Sequence, residues 1–245
     1  MAIPALTDSD LLDLWEGGSG RHPLDRALLL YSWAHPQQPP DTLADLPLGT
    51  IQRALLELRV TLFGPRIEAC QDCPFCGSRL EVQLDATELL SELPNEPRPL
   101  SVRVLEHHLR LPSSRDLAAL IEQPNPRLAA RQLLKRCLLS GPGTERLAEA
   151  VAASMDEEQL EAVEAVLEAA DPAADIALKL TCCDCGQPWS TSLEISGLLW
   201  GEITARARSL LAEVHQLARA YGWGERQILA LPPSRRAAYL NLVAP

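Results

Sequence analysis

The sequence predicts a mainly α (α+β) fold, with helical modules gathered around a small cysteine-bearing β element and a long helical insertion in its middle. Three observations predict it. The apolar content is mostly Leu and Ala, with 2 Phe, 4% aromatics and 20 Pro, a composition suited to helices separated by turns. Apolar residues recur at helical spacing in several segments. Two C-x-x-C-G pairs, Cys73-Pro74-Phe75-Cys76-Gly77 and Cys182-Cys183-Asp184-Cys185-Gly186, sit on either side of a long Ala/Leu/Glu-rich stretch.

The N-terminal helical module, 1–66, opens with LLDLW at Leu11 to Trp15 behind the capping candidates Thr7 and Ser9. Pro23 then opens DRALLLYSWA, which stops at HPQQPP because three prolines break any helix. A further helix is expected from Ile51, since Ile51, Leu55, Leu58 and Leu62 share one face and Gly64 is placed as its C-cap. The first half of the cysteine element follows at 67–90.

The insertion, 91–176, begins with the Pro-rich LPNEPRPL and one short extended stretch, VRVLEHHLRL, before turning helical. Ser154 and Glu157 predict a capping box ahead of an apolar face at Leu160, Val163 and Leu167. From Gly141 to Asp175 ten acids stand against one Arg, so 1 − 10 gives −9, most of the chain's formal −11. A solvated helix face is the simpler reading of that run, and an acidic docking surface is the functional one.

The second half of the cysteine element, 177–197, leads into a C-terminal helical module, 198–245. Ile203, Ala207, Leu210, Val214, Leu217 and Tyr221 form one stripe over five turns, and Gly222-Trp223-Gly224 ends it. A short helix through Ile228 and Leu229 follows, then Pro232-Pro233 and a final turn or two at RRAAYLNLV. Six arginines here (206, 208, 219, 226, 235, 236) against Glu202, Glu213 and Glu225 give +3, so the charge is polarised along the chain.

Composition bounds the function. With 22 Lys+Arg against 33 Asp+Glu and a pI near 4.9, nucleic acid is disfavoured as the main partner, because phosphate-binding surfaces concentrate positive charge. No run reaches the ~18 apolar residues of a membrane span, and MAIPALTDSD lacks a basic start followed by an apolar core. A cytoplasmic protein with no membrane partner is the expectation. In a reducing compartment, closely spaced thiols among seven cysteines read as metal ligands rather than disulfides.

Each C-x-x-C-G knuckle lets two thiolates of one tight turn reach the same ion, while Gly tolerates the positive φ of such a turn. Cys73, Cys76, Cys182 and Cys185 then complete a tetrahedral site. The flanks also repeat without a gap: laying Cys73 on Cys182 brings Leu80 to Trp189, Leu84 to Leu193, Asp85 to Glu194 and Thr87 to Ser196. Each half reads as knuckle, strand (RLEVQL and WSTSLEI) and helix start. The expected architecture is therefore helical modules around a small pseudo-twofold four-cysteine zinc ribbon, with the helical insertion between its two knuckles. One structural Zn2+ per chain follows, since four thiolates leave no open coordination position and the ion supplies folding free energy instead of activating water. The same geometry accepts iron.

Other residues were weighed against this set. Cys70 and Cys183 offer alternative ligands, but the pairs with Gly immediately after are preferred. Cys137 in RQLLKRCLLS reads as a buried helix residue. His107 and His108, neighbours in an extended stretch, face opposite ways and cannot easily share an ion, and His215 flanks the packing face of the long helix. No nucleophile elbow, phosphate loop, dinucleotide fingerprint or H-E-x-x-H occurs, so no catalytic residue and no enzyme is expected.

Five segments together carry a family resemblance: LLDLWEGGSGRHPLDRALLL, LELRVTLFGP, LRLPSSRDLAAL, DPAADIALKL and LLAEVHQLARAYGWGERQILALPPSRRAAYL. Over nearly its whole length the chain resembles proteins encoded in phage-tail-like contractile injection system clusters, similar to baseplate or baseplate-hub assembly proteins of contractile-tailed phages. Glu213, His215, Tyr221, Gly222, Trp223 and Ile228 lie in the most distinctive stretch. The family knuckle carries Pro after its first Cys, as at Pro74, whereas Cys183 takes that place in the second knuckle.

The resemblance implies a non-enzymatic assembly chaperone or adaptor, with zinc as scaffold, whose partners are baseplate or spike-hub proteins. Trp200, Tyr221 and Trp223, with Arg219 and Arg226, are the contact candidates, because aromatic and Arg side chains dominate binding hot spots. Tyr221, on the apolar stripe, equally reads as a packing residue. A permanent baseplate subunit is the alternative, and a zinc-ribbon nucleic-acid or transcription adaptor is a third reading that needs a basic face.

Overall fold

The computed structural model describes residues 6–94, 101–138 and 145–243. In chain order the elements are α1 (Asp8–Gly18), α2 (Pro23–Ala34), α3 (Pro40–Leu43), α4 (Leu48–Phe63), β1 (Arg66–Asp72), β2 (Arg79–Asp85), α5 (Ala86–Glu92), β3 (Ser101–Val104) and β4 (His107–Arg110). They continue with α6 (Ser114–Ala118), α7 (Pro126–Cys137), α8 (Glu145–Ser154), α9 (Glu157–Ala170), β5 (Ala177–Thr181), β6 (Pro188–Ser192), α10 (Ile195–Tyr221), α11 (Glu225–Leu229) and α12 (Pro233–Val243). Among the described residues the fold is mainly helical, with six short strands paired as three separate antiparallel hairpins, β1–β2, β3–β4 and β5–β6. No helix among the described residues is long and apolar enough to cross a membrane.

The chain forms two compact units, one of Met1–Leu30 with Ser196–Pro245 and the other of Tyr31–Ile195. In the first, Thr7 caps α1 in a reciprocal box with Asp10, which leaves Ser9 inside the helix. The expected stripe of α10 is buried at Ile203, Ala207, Leu210 and Leu217. Arg236, 1% exposed, donates from Nε to Glu213 at 2.6 Å and from Nη2 to Asp8. Arg206 spans the same two carboxylates at 3.2 and 3.3 Å. Two of the six C-terminal arginines are thus neutralised within the unit, and the basic character of this region rests on the others. Gly18 is needed at its position, for a Cβ there would overlap the Trp200 ring.

In the second unit, the helix expected from Ile51 begins one turn earlier, at Leu48, and ends on Gly64 at φ 84°. The stretch VRVLEHHLRL folds back on itself as the hairpin β3–β4, with Val104 opposite His107 and Leu105 at φ 53° in the two-residue turn. Hairpin turns of that length require positive φ, and alternation alone gave no sign of a turn because Leu105 is not a turn residue. The expected cap of α9 is also displaced. Ser154 belongs to α8 and its Oγ donates to the Val151 carbonyl, while Asp156 and Gln159 form the reciprocal box that opens α9. Residues 95–100 of LPNEPRPL, and 141–144 at the start of the acidic run, lie outside the described residues.

The insertion has its own core, built from Val104, Leu109, Leu134, Cys137, Ala152, Met155 and Val163, with Leu160 and Leu167 packed against it. Cys137 is fully buried, and burial pushes its thiol up to about 12. Beside this core Asp116, fully buried, accepts from Arg110 Nη1 and Nη2 at 2.5 and 2.7 Å, Arg136 Nε at 2.9 Å, Ser113 N at 3.0 Å and Ser113 Oγ at 2.8 Å. Burial alone would raise its carboxyl, but Arg110 and Ser113 hold it well below the usual carboxylate range.

Candidate metal centre

Both knuckles are the tips of hairpins. The strand β1 ends at Asp72 and β2 starts at Arg79, so Cys73 to Ser78 make the first turn; β5 ends at Thr181 and β6 starts at Pro188, so Cys182 to Gln187 make the second. The two turns close identically. Cys73 N donates to Ser78 O at 2.9 Å and Gly77 N to Cys73 O at 2.9 Å, while Cys182 N donates to Gln187 O at 3.1 Å and Gly186 N to Cys182 O at 3.0 Å. Gly77 and Gly186 take φ of 76° and 70°, which explains the glycine after each second cysteine. The repeat continues into the helices: α5 starts at Ala86 and α10 at Ile195, both fully buried and placed alike in the two halves.

These turns bring Cys73, Cys76, Cys182 and Cys185 together, with their four sulfurs within 4.8 Å of one another. Cys73 Sγ lies 3.7 Å from Cys185 Sγ, and Cys76 Sγ lies 3.6 Å from Cys182 Sγ. A tetrahedral ion with metal–sulfur bonds of about 2.3 Å has sulfurs about 3.8 Å apart, so the spacing fits a four-thiolate site. Cys73 and Cys182 are buried while Cys76 and Cys185 are exposed, so each knuckle contributes one inner and one outer sulfur.

The electrostatics of the cluster also suit a cation. Ser78, through its hydroxyl and then its backbone N–H, lowers the Cys76 thiol to about 6. At Cys185 the Gln187 backbone favours the thiolate, yet lost hydration and the crowding sulfurs of Cys182, Cys76 and Cys73 push the thiol up to about 12. Four thiolates this close repel one another unless a positive charge sits between them.

The hairpins are placed by α4, and this was not legible in the sequence. At its C-terminal end the buried Arg59 donates to Gly64 O and Arg66 O, both at 2.5 Å, which joins the helix end to the start of β1. At its N-terminal end Gly49 N donates to Asp171 Oδ2 at 2.9 Å, which ties the segment leading into β5 to a helix N-terminus, where a carboxylate is favoured. Asp175 then accepts from Ser192 Oγ across the base of the second hairpin.

The remaining candidates lie elsewhere. Cys70 is exposed on β1 opposite Glu81, and Cys183 is exposed inside the second turn; neither belongs to the four-sulfur group. His107 and His108 form the start of β4. In the first unit Trp200 is half-buried, with the Arg26 guanidinium 4.9 Å from its ring centroid. Tyr221 stacks on Trp223 at 4.6 Å, and both meet Tyr239 edge-on at 5.6 and 4.9 Å. Tyr221 keeps 37% of its surface exposed. Arg219 and Arg226 are exposed nearby in the chain. Tyr239 is the member of this ring cluster that the sequence reading did not single out.

Comparison of the chain with known protein families, curated proteins and solved structures finds no match.

Proposed function

We propose that the chain is a non-enzymatic assembly adaptor whose two hairpins are stapled by one structural zinc ion, and that it serves the baseplate of a phage-tail-like contractile injection system. The observation that carries the metal reading is the cluster of four sulfurs within 4.8 Å of one another at the tips of two hairpins that close alike. Four thiolates fill the coordination shell of zinc, so the ion holds the ribbon together and activates nothing. Zinc is favoured over iron because it has no redox chemistry to control and is the common occupant of such closed sites. The contractile-system assignment rests on the resemblance of the five segments named above. The adaptor role is supported by the Tyr221–Trp223–Tyr239 ring cluster, with exposed Arg219 and Arg226 close to it in the sequence, residue types that dominate protein interfaces.

Quantitative mass spectrometry of purified particles and of cytoplasmic complexes captured through this protein tests the role. Absence from particles together with capture of a baseplate or spike-hub subunit supports the adaptor. A fixed stoichiometry in mature particles makes the protein a permanent subunit instead, and capture with no particle component overturns both.

A further inference from the structure

We propose that the groove between α7 and α9 docks a basic amphipathic helix of a partner protein. The groove encloses about 490 Å³, within the range of built binding pockets. Its apolar floor includes Leu133 and Leu134 of α7 with Leu160, Val163 and Leu167 of α9. Among the described residues, every charged side chain on its lining is an acid: Glu164, Glu168, Asp171 and Asp175. Two of these are already engaged, Asp171 with Gly49 N and Asp175 with Ser192 Oγ. Glu164 and Glu168 are exposed, and among the described residues they form no ion pair. They stand one turn apart on the same side of α9 as the apolar floor.

Charge and length choose the occupant. From Leu160 to Ala170 the α9 wall of the groove runs eleven residues, about 16 Å of helix at 1.5 Å per residue, room for three turns of a docked helix with apolar anchors at i, i+4 and i+7. The floor carries only aliphatic side chains among the residues named, and the rim carries two exposed carboxylates, Glu164 and Glu168, within a segment of charge −9. A helix with Leu-like anchors flanked by Lys or Arg satisfies both; an acidic helix is repelled. The acidic stretch then works as a docking surface and as a steering field for its partner.

Selection from a random-peptide display library against the full chain, with the Glu164→Lys/Glu168→Lys double variant as counter-target, tests this. Both positions are exposed on α9 and lie outside the buried core of the insertion, so the variant is expected to retain its fold and its metal content, which circular dichroism and elemental analysis check. The expected selectants carry aliphatic residues three and four apart flanked by Lys or Arg. A synthetic selectant then binds the double variant at least about tenfold more weakly, and weakens with added salt. No enrichment over the double variant overturns the proposal, as does enrichment of acidic or uncharged peptides. Self-association of the wild type that the double variant abolishes, read by sedimentation velocity, gives the groove to a second copy and overturns it too. The proposal rests on the adaptor reading, yet the two fail separately: particle composition decides the adaptor, and charge preference decides the groove.

Discussion

Replacing Cys76 by Ser removes one sulfur of the four-cysteine group and leaves intact the backbone closures of both knuckles, which run through Cys73 and Cys182. With the proposed zinc bound, a structural site contributes ~10–16 kcal/mol, so one ligand in four carries roughly 3 kcal/mol, or about two orders of magnitude in Kd. The strands have little else to hold them, for Ile67 in β1–β2 and Leu178 in β5–β6 are the single buried residue of each hairpin's strands. Metal content by elemental analysis and affinity by competition with a chromophoric chelator give the readout, with proteolysis across 66–85 and 177–192 reporting hairpin order. Cys76→Ser and Cys185→Ser should each lose tight binding and expose both hairpins to cleavage. Cys70→Ser and Cys183→Ser should retain one ion with unchanged affinity, since both thiols lie outside the sulfur group. Full stoichiometry with unchanged affinity in both Cys76→Ser and Cys185→Ser, or loss of the ion in Cys183→Ser, refutes the four-thiolate assignment.

Asp116→Asn leaves Arg110 and Arg136, each about a third exposed, without their shared carboxylate and should cost about 2–3 kcal/mol in denaturant unfolding; a change below about 1 kcal/mol would show that the network contributes little. Because the Asp116 carboxyl is held low when folded, its contribution is complete above the unfolded value of about 3.9 and is lost as pH falls from there through the folded value. Acid titration of wild type and Asp116→Asn should therefore converge at low pH. Gly18→Ala forces a methyl into the Trp200 ring and should destabilise by about 1–3 kcal/mol with a shift in Trp fluorescence, whereas Gly17→Ala, whose Cβ meets only Leu29 Cδ2 at 3.8 Å, should be nearly neutral. Thiol alkylation of the native protein should reach Cys70 and Cys183 quickly and spare Cys137, which is buried with its thiol pushed up to about 12; rapid labelling of Cys137 without unfolding would refute its place in the insertion core.

Features whose cause is local are legible in the chain alone. Apolar residues at helical spacing mark α1, α4, α9 and α10 because each face repeats within a turn or two. The four-cysteine group was legible because C-x-x-C-G dictates a tight turn from five consecutive residues, and because the flanks of the two turns repeat in step. Where local signals compete, the sequence was silent: Ser154 and Asp156 are both good caps, and packing decided that α8 runs through the first so that the second opens α9. Leu105 became a turn residue because Val104 and Leu109 are both buried in the insertion core, a demand that outweighs the preference for Gly or Asn at positive φ.

How the site is held depends on contacts between distant parts of the chain. Arg59 looked like one more charge on an amphipathic helix, yet it is buried and joins α4 to β1. Asp171 looked like part of an acidic run, yet it reaches Gly49 across 122 positions. Arg236 counted toward a basic tail and is instead enclosed by Asp8 and Glu213, the first of them 228 positions away. A buried charge must find its partner wherever the fold brings one, and that pairing depends on the folded path of the whole chain; a turn or a helical stripe depends on a few neighbouring residues and is written where it forms.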